Sequence, residues 1–290
     1  MNPTTAAQAG SKAETLVEAL PYIRSYRGQT VVIKIGGAAL KDAKHAALVV
    51  DDIALMVLVG INVVVVHGGG PQVSDAMAAA GLQPSFVGGL RVTDDAAIAI
   101  VRQVLVGTIN QDLVARLGSA GLSPVGLSGI DAALLRAEVQ RGPNGEDLGN
   151  VGKVTEVNAT LLSALVEDSY TPVIASIALG SDGAALNVNA DAVAGAVAAA
   201  VGATKLVYLT NVEGLYRDLG DAGTLVSEVK AGELAAMLDR LSEGMRPKAG
   251  SALDALNGGV GKVHILDGRV DHALLLEVFT DEGIGTQVLP

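Results

Sequence analysis

Two β-branched runs, each ending in consecutive glycines, restrict this chain's fold more than any other feature. Val31–Ile35 leads into Gly36-Gly37, and Val63–Val66 leads through His67 into Gly68-Gly69-Gly70-Pro71. Apart from Lys34, both runs are continuously apolar rather than alternating, which is the pattern of strands covered on both faces. Between them, Ala46–Val59 has the length and spacing of a helix. Pro71 suits the first turn of another helix, whose buried side carries Val73, Met77 and Ala80. Strand, helix and strand in this order predict parallel pairing with a helical crossover.

The alternation continues to the C-terminus. Thr93-Asp94-Asp95 predicts the cap of a long Ala/Val/Leu helix ending near Gly118. Pro124–Leu127, Val173–Ala175, Lys205–Thr210 and Val263–Leu266 read as strands, and Gln287–Leu289 as a last edge strand. Leu134–Val139 and Val151–Val157 flank a polar stretch containing Asn144-Gly145, an antiparallel hairpin with a long loop. Further helices are expected from Asn158 to about Glu167, from Asp191 to about Val201, and over Gly232–Leu241, Ala249–Leu256 and His272–Val278. The predicted class is α/β, an open three-layer αβα sandwich with a mainly parallel central sheet, two lobes and an N-terminal helix. The expected divisions are an N-terminal helical extension over 1–26, an N-lobe over 27–201 and a C-lobe over 202–290. In such sheets ligands sit at the carboxyl ends of the strands.

Composition narrows the partners. The net charge is -11 and the pI about 4.7, which removes general attraction to nucleic acid or anionic membranes. Phosphate binding then needs a few placed lysines and backbone N–H groups. The chain has no cysteine, so neither disulfides nor thiolate chemistry are available, and a cytoplasmic location fits. The longest apolar stretch, Ile53–Val66, is interrupted by Gly60 and Asn62 and is too short for a membrane span. No metal-ligand set is assigned.

Glycines that follow a strand and open a helix can turn N–H groups toward an anion. A pair of tight turns accounts for the same glycines equally well. No G-x-x-x-x-G-K-[ST] loop occurs, and the second cluster lacks the spacing of a dinucleotide fingerprint. Lys34 lies in an apolar strand two residues before Gly36-Gly37, which favours a phosphate clamp over a snorkelling side chain. In Leu186-Asn187-Val188-Asn189-Ala190-Asp191 three short polar side chains meet a helix start, although one cap needs only one of them. Lys248 stands near another helix N-terminus. A surface lysine is the commoner reading there, but an anion between lysine and helix would explain a cation at that end.

Several segments occur together in order: Val32–Gly37, Val66–Pro71, Gly89-Leu90-Arg91-Val92-Thr93, Leu186–Asp191 and Leu209–Tyr216. In this combination the chain resembles the amino acid kinase family, and within it the members acting on N-acetyl-L-glutamate, over nearly its whole length. The resemblance implies an ATP- and Mg²⁺-dependent enzyme that phosphorylates the substrate's side-chain carboxylate in arginine biosynthesis. It implies that Lys34 and Lys248 contact the transferring phosphoryl group and that Asp191 positions them. It gives backbone N–H groups of Gly37, Gly69 and Gly70 to phosphate and substrate, Arg91 to a substrate carboxylate, Asn187 to a substrate hydrogen bond, and Asn211, Gly214 and Tyr216 to the nucleotide. Asn211 departs from the aspartate more usual there.

The stretch Ala19–Tyr26 and the C-terminal segments Lys262–Gly268, His272–Glu277 and Gly283–Thr286 resemble the arginine-inhibited hexameric members of that family. That resemblance implies an allosteric L-arginine site of Glu277, the backbone near Gly283, Lys205, His264 and an N-helix tyrosine, Tyr22 or Tyr26. It also implies a dimer-based homo-oligomer, a hexamer. Other phosphoryl-transferring members of the fold, a non-catalytic arginine-binding regulator and a Rossmann dehydrogenase are the competing readings.

Overall fold

The computed structural model describes residues 10, 13–217, 221–242, 244–280 and 283–290. Residues 1–9, 11 and 12 of the expected N-terminal extension lie outside the described residues.

The first two thirds of the chain supply ten strands. They are β1 (Thr30–Ile35), β2 (Asn62–His67), β3 (Phe86–Val87), β4 (Leu90–Arg91), β5 (Pro124–Ser128), β6 (Leu135–Val139), β7 (Val151–Val157), β8 (Thr171–Ala175), β9 (Ile177–Gly180) and β10 (Ala185–Val188). The remainder adds β11 (Lys205–Thr210), β12 (Leu215–Tyr216), β13 (Leu225–Val226), β14 (Glu228–Lys230), β15 (Lys262–Asp267) and β16 (Thr286–Leu289). One sheet has the order β14-β16-β15-β11-β1-β2-β8-β5. Its pairings are parallel except at β15–β16. The sheet runs from one expected lobe into the other through β1 and β11, and residue 201 falls between helix Ala190–Ala200 and β11.

Three expectations are corrected. β16 is not an edge strand, because the three-residue β14 pairs along its outer side. The sequence around Glu228–Lys230 has no apolar run to announce β14. The strands β9 and β10 are additional, and with β6 and β7 they close a small four-stranded unit. The long helix is continuous from Asp95 to Ser119, but Gln103–Asn110 is π-helix. A π stretch keeps helical patterning while shifting its hydrogen bonds to i→i+5, so the sequence conceals it. This helix of 25 residues is long and apolar enough to cross a membrane by length and composition alone. Its Val101, Leu105, Ile109, Leu113 and Leu117 are nonetheless buried within the fold.

Side-chain alternation divides the core into layers. Val32, Val64, Val66, Leu206 and Tyr208 pack against helices Ala190–Ala200 and Arg246–Asn257. Val31, Ile33, Val63, Val65 and Val207 pack against helices Ala43–Leu58 and Ala273–Phe279. Lys34 has the parity of Val32, so the strand itself delivers it to the first layer.

Helices Ala43–Leu58 and Ala273–Phe279 are joined by polar contacts. Asp52 is buried, and His272 Nδ1 lies 2.6 Å from its Oδ1. Beside them, Lys44 pairs with Asp271 at 2.9 Å. Burial pushes the Asp52 carboxyl up, and the hydrogen bond to Asp52 raises His272 above its ordinary 6.5. A raised histidine binds its proton more tightly in the folded state. Its contribution is therefore complete below 6.5 and is lost as pH rises through the higher folded value. The stability advantage of the native chain over His272→Gln, from urea melts, is expected to shrink as pH rises from below 6.5 through the higher folded value. Because the imidazole is half exposed, the change should stay within about 1 kcal/mol.

Candidate active site

At the carboxyl end of β1, Lys34 is in register with Tyr208 of β11, and both face helix Ala190–Ala200. Asn189 caps that helix, its side chain accepting from the Asp191 N–H at 2.8 Å. Asp191 thereby falls in the first helical turn, buried and turned toward Lys34. The Lys34 Nζ lies 2.9 Å from Asp191 Oδ1, and the Lys248 Nζ lies 2.8 Å from Oδ2. The first contact is a close ion pair. The second is a hydrogen bond.

Lys248 is not the surface lysine of the commoner reading. It is the third residue of helix Arg246–Asn257, only 5% exposed, with its ammonium 5.0 Å from the centre of the Tyr208 ring. The Tyr208 hydroxyl donates to the Asp191 carbonyl at 3.3 Å. Burial alone would raise the Asp191 carboxyl, but the two ammonium groups outweigh it and hold it well below the carboxylate range. Burial lowers Lys248 from its ordinary 10.5, and Asp191 offsets part of that.

A cavity opens in front of this triad. Lys34, Gly37, Gly69, Gly70, Arg91, Asn187 and Asp191 line it, so most of the predicted catalytic and substrate residues share one space, whereas Lys248 does not line it and is connected to it through Asp191. The hairpin β3–β4 delivers Arg91. Gly88 and Gly89 form its two-residue turn with φ of 55° and 78°, a conformation that side-chain-bearing residues rarely adopt. The Arg91 guanidinium donates to the Gly70 carbonyl at 2.9 Å and to Ser74 Oγ at 2.7 Å, and it lies 4.7 Å from the centre of its cross-strand partner Phe86. Asn187 donates to Thr93 Oγ1 at 3.1 Å. Gly37 opens a short helix, and Gln72 Nε2 donates to its carbonyl at 2.8 Å.

Asn211, Gly214 and Tyr216 do not line this cavity. They follow β11, whose carboxyl end is on the same side of the sheet as that of β1. Asn211 is exposed, and the Tyr216 hydroxyl donates to Glu213. Sequence reasoning missed Phe86, Ser176, Val101 and Leu105, which also line the cavity. Only Phe86 left a trace, by standing before a glycine pair.

A second buried cluster lies on the opposite side of the sheet. Glu277 Oε1 is 3.0 Å from Lys205 Nζ and 2.6 Å from His264 Nδ1. Burial would raise Glu277, but His264 and Lys205 hold it below its ordinary value, while burial lowers His264. Gly283 is adjacent, because a Cβ there would stand 3.7 Å from Glu277 Oε2. The ring over Lys205 is that of Tyr26, at 5.3 Å. Tyr22 lies one helical turn away, against Pro21, Phe279 and Thr280. Among the described residues, no group of three His, Asp or Glu side chains can hold a metal ion.

The family model of the amino acid kinases matches residues 29–267. The chain belongs to the amino acid kinase family. Among similar family members, acetylglutamate kinase of Symbiobacterium thermophilum is 52% identical over 97% of this chain and 99% of its own length. That of Pelotomaculum thermopropionicum is 47% identical over 96% of this chain and 97% of its own. N-acetylglutamate synthase from Neisseria gonorrhoeae, complexed with coenzyme A and N-acetyl-glutamate, is 31% identical with a TM-score of 0.86. The match covers 96% of this chain and 63% of that one, so this chain spans under two thirds of the synthase. Carbamate kinase from Giardia lamblia bound to AMP-PNP shares the fold, at 17% identity and a TM-score of 0.64 over 90% of this chain and 98% of that one.

In this amino acid kinase the Lys34–Asp191–Lys248 triad is a structural commitment as well as a candidate machine. Asp191→Asn keeps the shape but leaves two buried ammonium groups without a counter-ion. Urea unfolding at neutral pH should show a loss of about 3 kcal/mol, the lower end of the range because Lys248 can shed its proton. A loss under about 1 kcal/mol would mean that solvent already screens the triad.

Proposed function

We infer that this amino acid kinase transfers the terminal phosphoryl group of ATP to the side-chain carboxylate of N-acetyl-L-glutamate, a step of arginine biosynthesis. The observation that carries the reading is one cavity lined by Lys34, Asp191, a glycine cradle and a buried arginine, with Lys248 paired to the same Asp191 carboxylate. The full-length likeness to two acetylglutamate kinases supports the same substrate.

The chemistry fits the residues present. A glutamate-type carboxyl has an ordinary pKa of about 4.3, so the nucleophile is already ionised at neutral pH and no general base is needed. The reaction instead requires two anions to approach each other in line. Lys34 supplies a positive charge at the cavity wall, and Lys248 a second one, 2.8 Å from Asp191. Asp191 holds them in place. Gly37, Gly69 and Gly70 offer N–H groups to phosphate oxygens and substrate, Arg91 takes the substrate's second carboxylate, and Asn187 takes a further polar group. The Asn211–Tyr216 loop contacts the nucleotide. ATP supplies the phosphoryl group, and Mg²⁺ accompanies its phosphates to neutralise their charge.

The second cluster is the site of feedback inhibition by L-arginine in this reading. Glu277 is a buried carboxylate beside Gly283, suited to a guanidinium. Tyr26, from the N-terminal helix, closes the site over Lys205. Arginine lowers activity by favouring a more open arrangement of an N-lobe over 27–201 and a C-lobe over 202–290. The exposed Leu16, Val17 and Leu20 of the N-terminal segment serve a dimer-based hexamer, and the enzyme works in the cytoplasm.

A coupled ADP-release assay with ATP, Mg²⁺ and N-acetyl-L-glutamate tests the activity directly. Lys34→Met should lower kcat on the order of 10² to 10³, and a variant within twofold of the native rate would remove Lys34 from the mechanism. Arginine should suppress native turnover, and deletion of residues 1–26 should abolish that suppression. A truncated enzyme still fully inhibited would remove the N-terminal helix from the regulatory site.

A further inference from the structure

His67 is the most deeply buried titratable group next to the cavity for which the mechanism above has no use. It ends β2, is fully buried, and precedes the glycines that line the site. Its Nε2 lies 3.0 Å from Asn110 Nδ2, and its Nδ1 lies 3.2 Å from the Gly68 carbonyl. Asn110 closes the π-helical stretch Gln103–Asn110 and is itself buried.

The hydrogen-bond inventory of these groups allows one arrangement. Asn110 Nδ2 also donates to the Val173 carbonyl of β8 at 2.9 Å. A carbonyl accepts only, so the asparagine must present its NH₂ group, not its oxygen, to β8 and to His67. The Nε2 of His67 is then the acceptor, and its proton sits on Nδ1, directed at the Gly68 carbonyl. Burial lowers the His67 imidazole to about 4, so the ring is neutral in the working range and has one N–H to give.

That N–H has a consequence one bond further on. In a planar trans peptide the C=O of one residue and the N–H of the next point in opposite directions. Fixing the Gly68 carbonyl toward His67 fixes the Gly69 N–H away from it. Among the described residues no acceptor meets the Gly69 N–H. The same π-helical stretch presses Leu105 and Ile109 onto Gly69 so closely that a Cβ there would collide with both. One helical segment therefore sets the position of Gly69 by packing and the orientation of its peptide through Asn110 and His67.

We propose that Asn110 and His67 are positioning residues that fix the Gly68–Gly69 peptide so that the Gly69 N–H is aimed into the cavity at an oxyanion of the reaction. The proposal rests on the phosphoryl-transfer reading of that cavity. His67 touches no reacting atom and exchanges no proton. It acts by holding one tautomer.

Two measurements on the full-length protein test it. The first is independent of activity: ¹⁵N NMR of the imidazole nitrogens at neutral pH, with the His67 signal identified by its absence in His67→Asn. The expected state is the neutral ring with its proton on Nδ1, and a proton on Nε2 would overturn the proposal. The second compares kcat in His67→Leu and His67→Asn, using the ADP-release assay. Asparagine can place an amide N–H near the former Nδ1, whereas leucine cannot. His67→Leu should lose on the order of tenfold in kcat, less than outright removal of an oxyanion donor, with KM changed under about threefold and with His67→Asn recovering most of the rate. Native-like kcat in the leucine variant, or equal losses in both variants, would overturn the proposal. If His67→Leu does not fold, Asn110→Leu replaces it. There the NMR should show the Nε2–H form gaining population as kcat falls, and an unchanged tautomer with unchanged kcat would overturn the proposal. Absence of turnover by the native enzyme would instead refute the activity reading, while the NMR result would still decide the tautomer.

Discussion

One buried carboxylate between two lysines organises this molecule. Bringing two ammonium groups into the interior is unfavourable unless a counter-charge is built in with them. Asp191 supplies it, and its position in the first turn of an Asn189-capped helix adds the favourable end of the helix dipole. Three elements distant in sequence must therefore meet within a few ångströms: the end of β1, the start of helix Ala190–Ala200 and the start of helix Arg246–Asn257. The cavity beside them inherits its positive character from that requirement. The surrounding chain is acidic, so attraction for phosphates is confined to this spot rather than spread over the surface.

The strand period makes the meeting possible. Lys34 shares the parity of Val32, and Tyr208 that of Leu206, so both face the layer that contains the two helices. A slip of one residue in β1 would turn Lys34 toward helix Ala43–Leu58 and break the triad while leaving an apolar strand. The same sheet carries Lys205 and His264 on its opposite face, in the neighbouring strands β11 and β15, both in contact with Glu277. Candidate catalytic and candidate regulatory clusters are thus built on strands that share hydrogen bonds. The Asp52–His272 contact ties helix Ala43–Leu58 to the residue that precedes the Glu277 helix.

Much of this was legible in the sequence because its signals are local. Continuous Val-rich runs announced a sheet covered on both faces, and their glycine endings marked the carboxyl ends where the cavity lies. Lys34 stood out as a charge in an apolar strand, and Asn189 and Asp191 as more polar side chains than one cap requires. What stayed hidden depends on distant partners or on backbone detail. For Lys248 the local sequence left a surface lysine the commoner reading, and only the family resemblance gave it a role, because its counter-ion is 57 residues away. The π-helical stretch has ordinary helical composition, and β14 is too short and polar to register as a strand. His67 looked like punctuation before glycines, since nothing local shows that Asn110 will reach it.

The central claim is that this site aligns and neutralises anions and uses no general base. It is tested most directly by the pH dependence of kcat for phosphorylation of N-acetyl-L-glutamate, measured with saturating ATP and Mg²⁺ from about pH 6 to pH 10. The account predicts a flat profile through neutrality, because the attacking carboxylate is already ionised. It also predicts an alkaline decline as Lys248, lowered from its ordinary 10.5 by burial, gives up its proton. A rate that rises through an ionisation at about 6 to 7 would report a base accepting a proton in the transition state and would contradict the account.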